Sequence, residues 1–218
     1  MTEMVGQMFE TFFIRCYVLV KLNLYFWGLT LIGGVLAGIG PALLTINQLF
    51  ATYEWAYDQL TVKAAWQIYK ENFKRGNAIF YLFLVAFSIV GYNLFIAVQL
   101  KGPFFFGLVF ILGFALLFLT ISFNFFLQLN SHFDTSFREL LKLATITFFT
   151  NFFLVLKVLG GLLVIGLLTY RFPGLILFAT IALTQVTISF FLKGWFSKIN
   201  ENLAITEGDF SEETTEFN

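Results

Sequence analysis

Apolar residues are concentrated in five long stretches of the chain, which are separated by polar segments or short turns. A helix needs roughly 20 apolar residues to cross a hydrocarbon core of about 30 Å. The stretches of sufficient length lie near residues 22–49, 78–99, 104–129, 146–168 and 173–193. We therefore predict an all-α fold, a polytopic membrane helical bundle with about five transmembrane helices.

Two of the connections are long, and each has a helical pattern of its own. In the first, apolar positions recur every three or four residues: Val62, Trp66, Tyr69 and Phe73. In the second, Ser136 and Glu139 have the spacing of a capping box, the hydrogen-bonded start of a helix. Because these patterns place apolar side chains on one helix face, we predict an amphipathic helix in each connection.

Lys and Arg residues are distributed unevenly between the two sides of this predicted topology. Eight lie in the long connections or at and after the end of the fifth stretch, and four lie before the first stretch or in the short turns. Cytoplasmic segments of membrane proteins are enriched in these residues. We therefore expect both amphipathic helices and the C-terminus in the cytoplasm.

Composition agrees with a membrane location. Of the 218 residues, 59% are hydrophobic and 12% are charged, and the mean hydropathy is +0.84, whereas about a quarter of the residues of a soluble domain are charged. The 13 basic and 13 acidic residues include no basic block, so we expect no nucleic-acid partner.

One integral membrane domain accounts for residues 1–200. Within it, we expect residues 1–16 to form a short amphipathic helix at the membrane surface. Residues 201–218 contain acidic side chains and no Lys or Arg. We predict that this C-terminal tail is disordered, because it offers little apolar surface to bury.

Side chains suited to catalysis or metal binding are few. The chain has one cysteine, Cys16, and one histidine, His132, and it contains no nucleotide-binding or hydrolase motif. We therefore expect no catalytic residue, no cofactor and no metal site.

Polar residues inside the predicted spans are stronger candidates, because an amide or a charge in lipid costs free energy unless it finds a partner. They are Asn23, Asn47, Gln48, Asn93, Asn124, Gln128, Asn151, Lys157 and Gln185. Four of them, Asn47, Asn124, Gln128 and Asn151, are the candidate functional residues. Asn124 and Gln128 are four residues apart on one helix face, and they form either part of a polar seam or interhelical hydrogen bonds. Lys157 lies near the middle of the fourth predicted span, and it is either a structural or a functional residue.

The first predicted span is rich in residues that weaken helices. At 1.5 Å per residue, a straight helix over this apolar run would measure about 43 Å, more than the hydrocarbon thickness. Pro41 lacks a backbone donor and favours a bend at this point. Gly34 and Gly38 have GxxxG spacing, which lets another helix approach closely.

Two segments resemble a known family. They are LVKLNLYFWGLTLIGGVLAGIGPALLTINQLF, which contains the GIGPA core, and AAWQIYKENFKRGN, which contains Tyr69, Lys70, Asn72 and Phe73. Over roughly residues 10–200 the chain resembles the YesL family of small bacterial integral membrane proteins, found chiefly in Gram-positive bacteria. Genes of this family often neighbour carbohydrate ABC-transport systems. The resemblance therefore implies a bacterial cell membrane and ABC transporter permease subunits as partners.

These observations lead to one preferred function and two others. We expect a non-catalytic accessory membrane subunit of a bacterial carbohydrate ABC importer, which binds the permease subunits and supports sugar uptake. The candidate partner-binding residues are Gly34, Gly38, Pro41, Lys157, Trp66, Tyr69 and Phe73. A small stand-alone membrane transporter or channel is the alternative, with a pore or substrate site formed by Asn124, Gln128, Asn151 and Lys157. An integral-membrane enzyme would need acid, base or metal ligands clustered at one membrane depth, a pattern that the sequence lacks.

Overall fold

Helices make up nearly the whole of the computed structural model, which describes residues 2–133 and 135–197, with side chains from Gly6 onward. In chain order they are α1 (Thr2–Ile32), α2 (Leu36–Tyr53), α3 (Val62–Gln99), α4 (Pro103–His132), α5 (Phe137–Thr150), α6 (Phe152–Arg171) and α7 (Ile176–Ser197). The first residues of α7, Ile176–Thr180, are π-helical. The described ranges contain no β-strand. The tail predicted to be disordered, residues 201–218, lies outside them.

Five of these helices are long and apolar enough to cross a membrane, namely α1 from Gly6 onward, α3, α4, α6 and α7. The predicted polytopic helical membrane bundle is thereby confirmed. Of the two shorter helices, α2 is largely buried among the other helices and α5 is amphipathic.

The region of the first predicted span differs most from the prediction. Residues 22–49 do not form one bent helix, because α1 ends within this range and α2 begins after a three-residue turn. The turn is a Schellman motif, in which the N–H groups of Gly34 and Val35 donate to the carbonyls of Leu31 (3.1 Å) and Thr30 (2.9 Å). Gly34 adopts φ +78° there, a conformation that glycine reaches without the steric cost of a Cβ. The glycines therefore end a helix.

Pro41 does not mark the change of direction, since α2 continues through it. It lies instead at the crossing of α2 and α3, where a Cβ on Gly76 would come within 2.6 Å of Pro41 Cα. A Cβ on Gly40 would likewise overlap the Gly76 main chain. The two helix backbones are thus in direct contact, which small residues allow.

The N-terminal segment and the first long connection both merge with membrane spans. Residues 2–16 continue into α1 and do not form a separate surface helix. The predicted amphipathic helix of the first connection and the second span form a single helix, α3, of 38 residues. Thr61 caps this helix by accepting a hydrogen bond from Ala64 N–H (3.2 Å). No proline interrupts either segment, so helical structure continues across the predicted boundaries.

The second long connection behaves differently. Ser136 and Glu139 form the predicted capping box at the start of α5, which confirms that helix start. The backbone then breaks at Asn151, at φ −116° and ψ 63°, so α6 begins at Phe152, inside the predicted span 146–168. Lys157 is consequently in the second turn of α6, about 8 Å from its start at 1.5 Å per residue. The sequence-based placement of Lys157 near the middle of a span was wrong for this reason.

The bundle has a well-buried core, and one hairpin of the bundle is much more exposed. The core contains buried side chains from all seven helices, and Phe125 and Phe126 of α4 are completely buried in it. Beyond the core, residues 78–99 of α3 and 103–120 of α4 form what we call the outer hairpin. Half of its large apolar side chains are exposed, with Phe106 at 80% and Phe110 at 76%. This surface faces either lipid or another protein.

Candidate functional site

Four buried amide side chains meet at the centre of the core, and we call them the amide cluster: Asn47 of α2, Asn124 and Gln128 of α4, and Gln185 of α7. Gln128 Nε2 donates to Asn47 Oδ1 (2.8 Å) and to the Gln185 main-chain oxygen (2.8 Å). Gln185 Nε2 donates to Asn124 Oδ1 (3.1 Å). Three helices are therefore joined by one continuous set of hydrogen bonds.

The remaining donors of the amide cluster are used within their own helices. Asn47 Nδ2 donates to Leu43 O (2.9 Å), and Asn124 Nδ2 donates to Thr120 O (2.8 Å). Hydrogen bonds between helices in a membrane stabilise a bundle by roughly 0.6–2 kcal/mol each. Because the four amides bind one another, their arrangement is that of interhelical hydrogen bonding, the second of the two readings left open by the sequence.

The sequence selected three of these four residues. Gln185 was one of the intramembrane polar residues, but nothing in its spacing distinguished it from the others. Asn151, which was selected, lies at the break between α5 and α6, where its Nδ2 donates to Thr150 Oγ1 (2.9 Å). It is not part of the amide cluster, because it lies outside a regular helix.

Asn23 of α1 has the most specific set of contacts. Its Nδ2 donates to the carbonyls of Ile176 (3.0 Å) and Leu177 (2.6 Å), and its Oδ1 accepts from the N–H groups of Ile181 (3.0 Å) and Ala182 (3.1 Å). The two carbonyls belong to the π-helical residues and the two N–H groups follow them directly, at a place where the regular α-helical hydrogen bonds are displaced. Asn23 is completely buried, and its amide therefore joins α1 to the start of α7 by four hydrogen bonds.

The candidate partner-binding residues fall into two groups. Gly38, Pro41 and Tyr69 are engaged within the chain, since Gly38 packs on the Thr30 main chain, Pro41 on Gly76, and Tyr69 is 3% exposed beside Gly33. A partner cannot reach them without rearrangement of the bundle. Gly34 belongs to the turn and does not form a helix face with Gly38.

The other candidate partner-binding residues are accessible. Trp66 and Phe73 of α3 are 39% and 37% exposed, and each ring packs on Tyr69 between them. Lys157 lies on an exposed face of α6. The accessible candidates are therefore Trp66, Phe73 and Lys157, together with the outer hairpin, which the sequence did not select.

One polar group on the outer hairpin has an unusual position. Asn93 lies on an exposed face of α3, six residues before the helix ends. Its Nδ2 donates to Ile89 O (2.8 Å) in the same helix, which uses one of its hydrogen-bonding groups. An amide group without a partner in hydrocarbon costs several kcal/mol by order of magnitude. This position is more favourable against another protein than against lipid.

Charged and metal-binding side chains are sparse across the described ranges. Lys193 Nζ and Glu54 Oε1 form an ion pair of 2.9 Å at the end of α2. Nowhere in residues 2–133 and 135–197 do three His, Cys, Asp or Glu side chains come together as a metal site would require.

Sequence similarity covers part of α1, all of α2 and most of α3. A family model described as "Protein of unknown function, DUF624" matches residues 19–94. This match is about a third of the chain, and it includes Asn23, the crossing at Pro41 and Gly76, and part of the outer hairpin. No curated protein and no solved structure matches the chain.

Proposed function

We propose that the protein is a non-catalytic accessory membrane subunit of a bacterial carbohydrate ABC importer, and that it binds the permease subunits and supports sugar uptake. In this proposal it is a multi-pass protein of the bacterial cell membrane with a cytoplasmic C-terminus. The outer hairpin provides the main contact with the permeases. Trp66, Phe73 and Lys157 add contacts outside it.

Asn93 on the outer hairpin is the observation that carries this proposal. Its amide is exposed in an apolar part of α3, and only its own helix supplies a hydrogen-bond partner among the described residues. A neighbouring transmembrane helix would satisfy the remaining groups, as polar side chains do between membrane helices. Large exposed apolar side chains on the other helix of the hairpin, such as Phe106 and Phe110, would pack on the same partner.

The identity of the partner rests on sequence similarity. The family that matches residues 19–94 includes YesL-type proteins. The resemblance to those proteins implies carbohydrate ABC-transport systems, chiefly of Gram-positive bacteria. No P-loop is present in the sequence, so an importer would supply the nucleotide-binding subunits.

The alternative, a stand-alone transporter or channel, receives less support from the amide cluster. A substrate path needs polar groups that water or a solute can reach. Gln128 and Asn47 are 1% and 3% exposed, and they hydrogen-bond each other. The polar residues in the centre of the bundle thus hold helices together.

Affinity purification from native membranes tests the proposal. We expect the intact protein to carry carbohydrate permease subunits with it, as identified by mass spectrometry. Gly107→Trp, on the outer hairpin, should reduce their recovery about tenfold, since a Cβ added there meets no atom of this chain within 4 Å and the indole ring would block a partner. Gly166→Trp on α6 is the matched control, because it too has open space and lies outside the outer hairpin.

Two results would argue against an accessory subunit. One is the absence of transporter subunits from the purified wild-type protein. The other is equal recovery of permeases with Gly107→Trp and with wild type, which would remove the outer hairpin as the contact surface.

A further inference from the structure

A cavity of about 400 Å³ opens at the place where α2 and α4 end beside α7. This volume is in the range of small-molecule binding sites. Aromatic side chains, including Trp55 and Phe190, form much of its wall, and Glu54, His132 and Lys193 supply polar groups. The cavity is separate from the outer hairpin and from the amide cluster.

Two opposite charges lie at this cavity. Glu54 and Lys193 pair at 2.9 Å, yet their side chains are 55% and 71% exposed, so the pair itself adds little stability. Glu54 also has φ 46°, a strained conformation for a residue with a side chain, and such strain is concentrated at binding sites. A ligand carrying both charges could replace each partner of the pair with one of its own groups.

The arrangement of acceptors favours a cation beside Glu54. The helices α2 and α4 end at Tyr53 and His132, and the negative ends of helix dipoles attract positive charge. His132 Nδ1 lies 3.0 Å from Gln128 O. Since that carbonyl can only accept, this contact is a hydrogen bond in the Nδ1–H tautomer, in which Nε2 is an acceptor. A primary ammonium could donate to Glu54 and His132 together.

The position of the cavity at the edge of the membrane indicates what kind of ligand it binds. Both α4 and α7 qualify as membrane spans and both run to the cavity near their C-terminal ends, which places it at a membrane–water boundary. The Arg15 guanidinium lies 5.3 Å from the centre of the Trp55 ring in its wall, and tryptophan with basic residues is typical of this boundary. Phe190, 74% exposed on α7, extends the wall as an apolar surface.

We propose that this cavity binds the headgroup of a phospholipid that carries a phosphate and a primary ammonium, as phosphatidylethanolamine does. The ammonium donates to Glu54 and His132, the phosphate accepts from Lys193, and an acyl chain lies along Phe190. A choline headgroup is bound less well because its quaternary nitrogen has no N–H to donate. A phosphoglycerol headgroup is bound less well because it has no cation for Glu54.

Native mass spectrometry of the purified full-length protein tests this site. The protein is equilibrated separately with phosphatidylethanolamine, phosphatidylcholine and phosphatidylglycerol, and bound lipid is counted. We expect about tenfold more phosphatidylethanolamine than either other lipid, as for one charge-assisted hydrogen bond. Glu54→Gln and Lys193→Met should each lower it about tenfold, and Lys101→Met, in the turn between α3 and α4, should leave it unchanged.

A second variant separates ligand binding from folding. Ser189→Trp narrows the cavity, whose wall includes Ser189, and leaves the Glu54–Lys193 pair in place. The Ser189→Trp variant should have the melting temperature of the wild type and lose the bound phosphatidylethanolamine. It therefore tests the site even if Glu54→Gln lowers the melting temperature.

Three outcomes would overturn the proposal. They are equal retention of phosphatidylethanolamine and phosphatidylcholine, full retention by the Glu54→Gln and Ser189→Trp variants, and equally tight binding of soluble phosphoethanolamine. The last would identify a site for a soluble zwitterion and not for a lipid. None of these outcomes bears on permease binding by the outer hairpin.

Discussion

Single residues determine how the helices of this bundle meet. Asn23 makes four hydrogen bonds to the main chain of α7, two as donor and two as acceptor. An aliphatic residue of the same size would leave those four groups without this partner, and each unsatisfied buried group costs about 1–3 kcal/mol. One amide thus stabilises a π-helical segment that would otherwise be unfavourable.

We predict that Asn23→Leu lowers the free energy of unfolding by at least about 3 kcal/mol. Asn93→Leu should change it by less than about 1 kcal/mol, because the Asn93 amide is exposed and bonds only within α3. Denaturant titration of both purified variants in the same detergent measures the difference. Equal effects of the two substitutions would show that the contacts of Asn23 with α7 are unimportant.

A second prediction concerns the crossing of α2 and α3. Gly76→Ala should destabilise the protein by about 1–3 kcal/mol, since the new Cβ would overlap the Pro41 main chain. Gly91→Ala in the same helix meets no atom within 4 Å, and it should stabilise α3 by up to about 1 kcal/mol. Thermal melting compares the two. A neutral Gly76→Ala would contradict the close backbone contact.

At the scale of helices, the predictions succeeded where a local signal is strong and failed where tertiary contacts decide. The capping box at Ser136 and Glu139 predicted the start of α5, because its hydrogen bonds are local. The break at Gly34 was missed, since a glycine in an apolar run is compatible with a flexible helix and with a helix end alike. The break at Asn151 has no comparable signal, and it altered the interpretation of Lys157.

In the candidate site, too, the sequence predicted the local relations and missed the contacts between distant helices. The sequence identified Asn124 and Gln128 as neighbours on one helix face, since they are four residues apart. Their partners Asn47 and Gln185 are 77 and 61 residues from Asn124 along the chain. Only the packing of α2 and α7 on α4 brings them together. The exposure of the outer hairpin was equally inaccessible to sequence reasoning, because every predicted span is apolar on most sides.

The start of α5 should respond to acid. Hydrogen bonds from the Ser136 side chain and backbone lower the pKa of Glu139 below its ordinary value. A lowered folded-state pKa means that this stabilisation is present above the unfolded pKa and is lost as pH falls through the folded value. We expect faster amide hydrogen exchange at the start of α5 below about pH 4, after correction for the intrinsic rates.

Glu139→Gln should remove this pH dependence, because the amide does not titrate in this range. Ser136→Ala should speed exchange about fivefold at neutral pH, the effect of losing a helix cap. A pH profile of Glu139→Gln identical to that of the wild type would show that Glu139 is not the responsible group.

The whole molecule combines a hydrogen-bonded core with an exposed apolar extension. The amide cluster joins α2, α4 and α7, whereas the outer hairpin of α3 and α4 has half of its large apolar side chains exposed. A core of this kind supports a scaffold, and an extension of this kind offers an apolar surface to lipid or to other membrane helices.

We predict that liposomes containing this protein alone take up sugar no faster than protein-free liposomes. The reason is that the central amides bind one another and do not line an open path. Lys157→Met should give the same result. Radiolabelled sugar uptake measures it, and a flux that depends on the protein and falls with Lys157→Met would favour the transporter alternative.

Site-specific photo-crosslinking in native membranes tests directly whether the outer hairpin contacts permease subunits. A photoreactive residue is placed at Phe110 of the outer hairpin, with Leu163 on α6 as an exposed comparison position, and crosslinked proteins are identified by mass spectrometry. We expect carbohydrate permease subunits to be crosslinked from Phe110 at a yield severalfold above the yield from Leu163. Crosslinks from Phe110 to lipid alone, with no permease subunit, would contradict this expectation.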